Sequence, residues 1–246
     1  MYPVLKLLAL AALLATSPVR ALADPGYYAV SAYDNEGVRT LDTRYWTVRS
    51  AGSGATLWPE IGLGYGVTSR WYTEIFASFI GDAGCAQKLS SMNWQNEVLL
   101  TRGQYPFDLA LHASVIRTYG NSGGKTLEIG PVLQTEVGRT QLNANLFFER
   151  AWSADDPQQP TQLKYQWQVR YHGVPLLNVG LQGFGELGTW DDWSARAGQS
   201  HRAGPALFGT WRLAGGHALQ YQAALLFGSI YGQNGRMFSM RIQYGF

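Results

Sequence analysis

The chain has 246 residues, with 19 Lys and Arg against 17 Asp and Glu and a single cysteine, Cys85. So even a balance excludes the basic patch that nucleic-acid binding calls for, and one cysteine excludes an internal disulfide framework. Nine Trp and fourteen Tyr are many for a soluble protein, and no linker or composition shift divides the chain, so one domain is expected.

At the N-terminus Lys6 precedes an apolar run from Leu7 to Ala15, and Ala21-Leu22-Ala23 forms a small-residue cleavage pattern before Asp24. This is the layout of a secretory signal peptide over 1–23. The run is shorter than the ~20 residues a spanning helix needs. Cleavage there takes away Lys6 and Arg20 and no acid, leaving 17 bases against 17 acids over 24–246. The stretch from Tyr27 to Tyr33 reads as a short extra strand, a periplasmic lead-in or a plug.

Beyond this point no apolar stretch approaches helix-spanning length, but about twelve segments alternate apolar and polar residues: 38–49, 57–67, 70–80, 88–101, 107–119, 125–137, 139–150, 161–173, 176–188, 202–213, 217–228 and 236–246. Side chains of a strand switch sides at every residue, so each segment has one greasy face. The clearest sets Leu163, Tyr165, Trp167, Val169 and Tyr171 against Lys164, Gln166, Gln168, Arg170 and His172. Segments of ~10 to 13 residues suit tilted membrane-crossing strands. In hydrocarbon such strands must close on themselves, because no backbone group is left unpaired there. Glycines and small residues blur the first, ninth and tenth segments, and a one-residue slip would exchange their faces.

The connections alternate in length. Thr68-Ser69-Arg70, Arg102 to Pro106, Gly138, Gly173-Val174-Pro175 and Ala214-Gly215-Gly216 are tight, whereas Ala151 to Pro160 and Thr189 to His201 are the longest of the intervening set. Short periplasmic turns and longer extracellular loops give this parity, which a soluble β-sandwich has no reason to show.

In the last strand Phe238, Met240, Ile242, Tyr244 and Phe246 share the apolar face, with Met237, Ser239, Arg241, Gln243 and Gly245 between them. This segment resembles the closing strand and assembly signal of bacterial outer-membrane β-barrels. The resemblance implies an all-β transmembrane up-and-down antiparallel barrel of about twelve strands, in the outer membrane of a Gram-negative bacterium. It implies outer-membrane lipid and lipopolysaccharide as surroundings, the barrel-assembly machinery as partner, a monomer, and no cofactor.

With the greasier set facing outward, strands two to seven send Glu60, Glu74, Glu97, Asp108, Glu128, Glu136 and Glu149 inward. Strands eight to twelve send in Lys164, Arg170, His172, Arg202, Arg212 and Arg241, with Glu186 as the acidic exception. An acidic wall facing a basic wall makes a transverse field that orients dipolar solutes and sets ion preference. Alternatively these charges pair across a narrow interior and plug it, since twelve strands fall between filled and aqueous barrels. Phe147, Phe184 and Phe208 point inward and favour a constriction.

Catalytic and metal patterns are sparse. His112-Ala113-Ser114 resembles the His-x-Ser of outer-membrane phospholipase A and of lipid A deacylases, in which a His activates a Ser and is itself steadied by an acid or Asn. Those sites face lipid, whereas Leu109, Leu111, Ala113 and Val115 claim the outer face here and turn His112 and Ser114 to the lumen, with Glu128 as a candidate orienting acid. Gly123-Gly124-Lys125-Thr126 lacks the first glycine of a phosphate loop, which falls on Tyr119, and no helix follows. The Asp155-Asp156 and Asp191-Asp192 pairs read as solvated loop acids rather than a cation site. His112, His172, His201 and His217 are scattered, so no metal is expected, and Cys85 reads as a thiol without chemistry.

The run Pro59 to Arg70, then Gly180 to Gly188 and Gly204 to Phe208, is similar to the outer-membrane family named for the meta-pathway of phenol degradation. That resemblance implies passage of small, often aromatic, compounds. The sequence reads as a narrow passive channel for small polar or amphipathic solutes. Alternatives are a lipid hydrolase using His112 and Ser114, and a plugged barrel whose loops at Trp152 to Pro160 and Trp190 to Gln199 meet an outside partner.

Overall fold

The computed structural model describes residues 29–31, 36–50, 55–82, 88–119, 124–153 and 160–246. The signal-peptide region, Cys85 and Asp155-Asp156 lie outside the described residues. Twelve long strands follow one another: β1 (Arg39–Ser50), β2 (Thr56–Gly66), β3 (Trp71–Asp82), β4 (Lys88–Leu99), β5 (Phe107–Thr118) and β6 (Gly124–Val137). They continue with β7 (Thr140–Ser153), β8 (Gln162–Val174), β9 (Leu177–Thr189), β10 (Ser200–Arg212), β11 (Ala218–Ile230) and β12 (Gln233–Gly245). No described helix is long and apolar enough to cross a membrane. Each expected segment falls within three residues of a strand.

Every strand pairs antiparallel with its sequence neighbours, and β12 returns to β1 from Thr40↔Gly245 to Ser50↔Gly235, closing the sheet into a barrel. A two-residue strand, Asp192–Trp193, folds back on Thr189 and Gly188 of β9. The five tight connections read in the sequence lie at one end, while at the other end a two-residue turn, Tyr231-Gly232, joins β11 to β12. Gly138 adopts φ 62°, the left-handed conformation that lets a two-residue turn join β6 and β7.

Alternation along the strands sorts the faces. Leu63, Ile75, Val115, Leu181, Leu207, Leu225 and Phe227 are exposed on the outside. A continuous apolar belt of this kind is the lipid face of a barrel rather than a water-facing surface. Exposed aromatics gather at its two rims, Tyr65, Trp71, Tyr105 and Trp211 at the end of the five short turns and Tyr119, Trp152, Trp190 and Tyr231 at the other end. Phe238 packs against Tyr45, and Tyr244 stacks between His217 and Phe246 on this outer surface.

The interior is polar. Buried Gln134, Gln141 and Asn143 hydrogen-bond one another, and Gln168 donates to Gln182, as buried amides tend to do. Gly64 faces this interior, where a Cβ would lie 2.0 Å from the Tyr72 hydroxyl and 2.4 Å from Thr40 Oγ1. The missing side chain lets Tyr72 of β3 reach over β2 and meet Thr40 of β1 at 2.7 Å. Ahead of β1, Ala29, Val30 and Ser31 also lie inside the barrel and are buried. The described part of the Tyr27 to Tyr33 stretch therefore sits in the lumen and forms no strand.

Candidate functional site

Strand register carries all thirteen charged or histidine side chains of the two expected walls to the inner face, the acids on β2 to β7 and the bases on β8, β10 and β12, and adds a cation that neither wall included. Arg44 of β1, opposite Glu60 on β2 and opposite Arg241 on β12, stands among the acids. Its guanidinium donates to Asp42 at 2.7 and 2.9 Å and to Glu74 at 2.8 Å, lies 3.9 Å from Glu60, and sits 4.5 Å over the Phe76 ring. Arg241 donates to the same Asp42 at 2.5 to 3.0 Å. Two arginines thus share one aspartate across the β12–β1 closure, and all four groups of this knot are buried.

A second cluster centres on His112. Its Nδ1 lies 2.9 Å from Glu97, its Nε2 lies 3.3 Å from Glu128, and its ring packs 4.8 Å from Phe147. Lys164 pairs with Glu149 and lies 3.8 Å from Glu128. Both ring nitrogens are set against carboxylates, Nδ1 within hydrogen-bond distance of Glu97 and Nε2 beside Glu128, and neither is hydrogen-bonded to Ser114. The Ser114 hydroxyl, buried on the same inner face, has no hydrogen-bond partner in the protein. The sequence motif therefore forms no serine–histidine pair in this geometry.

The remaining charges are apart from these clusters. Arg202 donates to Glu186 at 2.6 Å, and the Tyr231 hydroxyl bonds the same carboxylate. Arg170 lies 4.2 Å over the Phe208 ring and donates to Gln168 at 3.2 Å. His172 is 4.0 Å from Glu136, and Asp108 accepts from the Gly103 amide at 3.3 Å. Among the described residues no three His, Cys, Asp or Glu side chains converge as metal ligands.

Apolar side chains narrow the middle. Phe147 gathers Leu99, Ala110, Val132 and Val30 around it, while Phe184 and Phe208 pack with Trp46, Leu226 and Met237. On either side the lumen opens. At the short-turn end lies a cavity of about 810 Å³ with Arg102, Arg170, Arg212, Arg241 and His172 against Asp108 and Glu136. At the other end lies one of about 230 Å³ with Glu60, Glu128, Glu149 and Glu186 against Lys164, and with the stacked Trp46–Trp58 pair at 4.1 Å. Charge is thus sorted along the axis as well as across it.

Asp42 and Arg44 are absent from the walls read in the sequence, because Thr43 and Thr47 leave the other face of the first strand weakly apolar. The signal was one strand away. The last strand alternates clearly, and pairing it with the first puts Arg44 on the inner side opposite Arg241.

No family model matches the chain, and no curated protein matches its sequence, so the similarity to the phenol meta-pathway family gains no support there. Solved structures do match. An outer membrane channel from Pseudomonas putida F1 superposes with a TM-score of 0.63 over 92% of this chain and 100% of its own, at 11% identity. The chain has the fold of an outer-membrane β-barrel. The NanC porin gives a TM-score of 0.55 over 84% of this chain and 98% of its own at 12% identity. The translocator domain of the autotransporter NalP from Neisseria meningitidis gives 0.52 over 98% and 94% at 10% identity. At such identities the likeness is one of architecture.

Proposed function

We propose that this barrel is a narrow passive channel of the outer membrane for small polar or amphipathic solutes. The observation that carries the reading is a pair of charge-lined cavities, one toward each mouth, separated by the Phe147, Phe184 and Phe208 constriction. A barrel with only a structural task has no need to keep ionised groups facing open cavities, since unpaired or water-facing charge adds little to stability. The Pseudomonas putida relative in fold is an outer membrane channel, which agrees with this reading.

With the short turns on the periplasmic side, a solute meets acids first and arginines last. The acidic outer mouth draws cationic groups, the basic inner mouth draws anionic ones, and focusing between low-dielectric walls strengthens both effects. Molecules carrying both charges, or a polar head on an apolar body, suit a path that passes aromatic side chains midway. The resemblance of Pro59 to Arg70 to the phenol meta-pathway family favours small aromatic compounds among them. Export through a cleaved signal peptide, folding by the barrel-assembly machinery and a monomeric state in lipid and lipopolysaccharide complete the proposal.

The test is single-channel current of the refolded mature chain in a planar bilayer, with reversal potential under a salt gradient. Arg170→Ala should shift ion preference toward cations and Glu128→Ala toward anions. Folded, inserted protein that never conducts in any form would sink the channel reading.

A further inference from the structure

Val30 is fully buried inside the lumen, 0% exposed, and both of its backbone polar groups are bound by the barrel wall. Its N–H donates to Gln166 Oε1 at 3.2 Å and its carbonyl accepts from Asn145 Nδ2 at 3.0 Å, while Asn145 and Gln166 bond each other at 3.1 Å. Its side chain completes the apolar cluster of Leu99, Ala110, Val132 and Phe147. Two amides that grip a backbone from both sides, over an apolar pocket for the side chain between them, make a peptide-binding site.

The site lies where the two cavities meet. Ser31 borders the larger, periplasmic cavity, whereas Phe147 and Gln166, which hold Val30, border the smaller. Gly37, ahead of β1, lies at the short-turn end, where its N–H donates to the Gly66 carbonyl at 2.8 Å. No strand pairing of the barrel involves 29–31.

We propose that residues 29–31 are a built-in plug, an extended segment clamped by Asn145 and Gln166 that keeps the two cavities apart and whose release joins them. The proposal rests on the channel reading above and adds to it that the barrier is the chain's own N-terminal arm rather than the wall alone. The energetic balance suits a reversible closure. Among the described residues, two hydrogen bonds and the burial of Ala29, Val30 and Ser31 hold the segment in place, against the chain entropy regained when it leaves. A solute that occupied the same amides and pocket would compete with it directly.

Two measurements test this. The first is reaction of Val30→Cys, in a Cys85→Ser background, with a water-soluble maleimide in the folded, inserted protein. The second compares single-channel current of the full mature chain with that of a variant lacking residues 24–31, which keeps every strand pairing, and with Asn145→Leu and Gln166→Leu in the full chain. Protection of the thiol, with a several-fold larger conductance on deletion and more frequent openings in the two amide variants, is the expected result. Labelling as fast as in the unfolded chain overturns the plug whatever the currents show. Protection with equal currents in the full and shortened chains overturns it as the barrier and leaves the channel reading intact. Silence from both, in protein shown to be folded and inserted, overturns the channel reading, and the plug falls with it because the walls then close the lumen unaided.

Discussion

Asp42, Arg44, Glu74 and Arg241 are buried and bound to one another across the seam where β12 meets β1. Glu136 and Arg212, of the same chemical types, stand exposed at the short-turn mouth. In the first group each carboxylate is bound by a guanidinium and shut away from water, so it has little to offer a passing ion. The second group faces water, where its field reaches the solution within a Debye length of ~10 Å at 0.1 M salt. Position in the lumen, more than residue type, thus separates charges that hold the barrel closed from charges that select what enters it.

The comparison breaks most visibly at Asp42. Asp42→Ala removes the acceptor shared by Arg44 and Arg241 and leaves the two buried guanidinium groups facing each other across the seam, with Glu74 still bound to Arg44. Breaking a buried ion pair from one side costs on the order of 3–5 kcal/mol. Urea unfolding in detergent micelles should show a loss of that size, together with earlier loss of the compact band on unheated gels. An unchanged midpoint would mean that water already satisfies the arginines and that the knot does not clamp the seam.

A smaller effect comes from the glycine that gives the knot its neighbours room. Gly64→Ala places a Cβ within 2.0 Å of the Tyr72 hydroxyl, so Tyr72 must swing away and give up Thr40. Overpacking of this kind costs about 1–3 kcal/mol. The same unfolding assay should register it, with ion preference unaltered.

At the mouth the order of effects reverses. Arg212→Ala should change stability by about 0–1 kcal/mol, as for other exposed charges, yet move the reversal potential toward cation preference. A stability loss as large as that of Asp42→Ala, with no change in selectivity, would erase the distinction between the two groups.

Much of this was legible in the chain because period-two alternation is a local signal. Leu163 to His172 declares its two faces without reference to any other strand, and the tight turns at Gly138 and Ala214 to Gly216 mark the ends. The charge partners were less legible, because ion pairing depends on which strands neighbour each other. Arg241 and Asp42 are 199 residues apart and meet only because the barrel closes. Val30 and Gln166 are 136 apart, and nothing local to the Tyr27 to Tyr33 stretch chooses between a strand, a lead-in and a plug. The His112-Ala113-Ser114 spacing was legible but the carboxylates beside the histidine were not, since Glu97 and Glu128 come from β4 and β6.

That last point yields the smallest expected effect. Ser114→Ala removes a buried hydroxyl that has no partner in the protein, so desolvation of an unsatisfied group is relieved while only one oxygen atom of packing is lost. The two terms oppose each other, and stability should change by less than about 1 kcal/mol in either direction. Single-channel current should be unaltered, because Ser114 carries no charge. Hydrolysis of phospholipid or acyl ester by the refolded chain should stay at the level of the solution without protein in both forms. Activity that is present in the wild type and lost in Ser114→Ala would show that His112 can leave one of its carboxylates, and would return the lumen to the hydrolases.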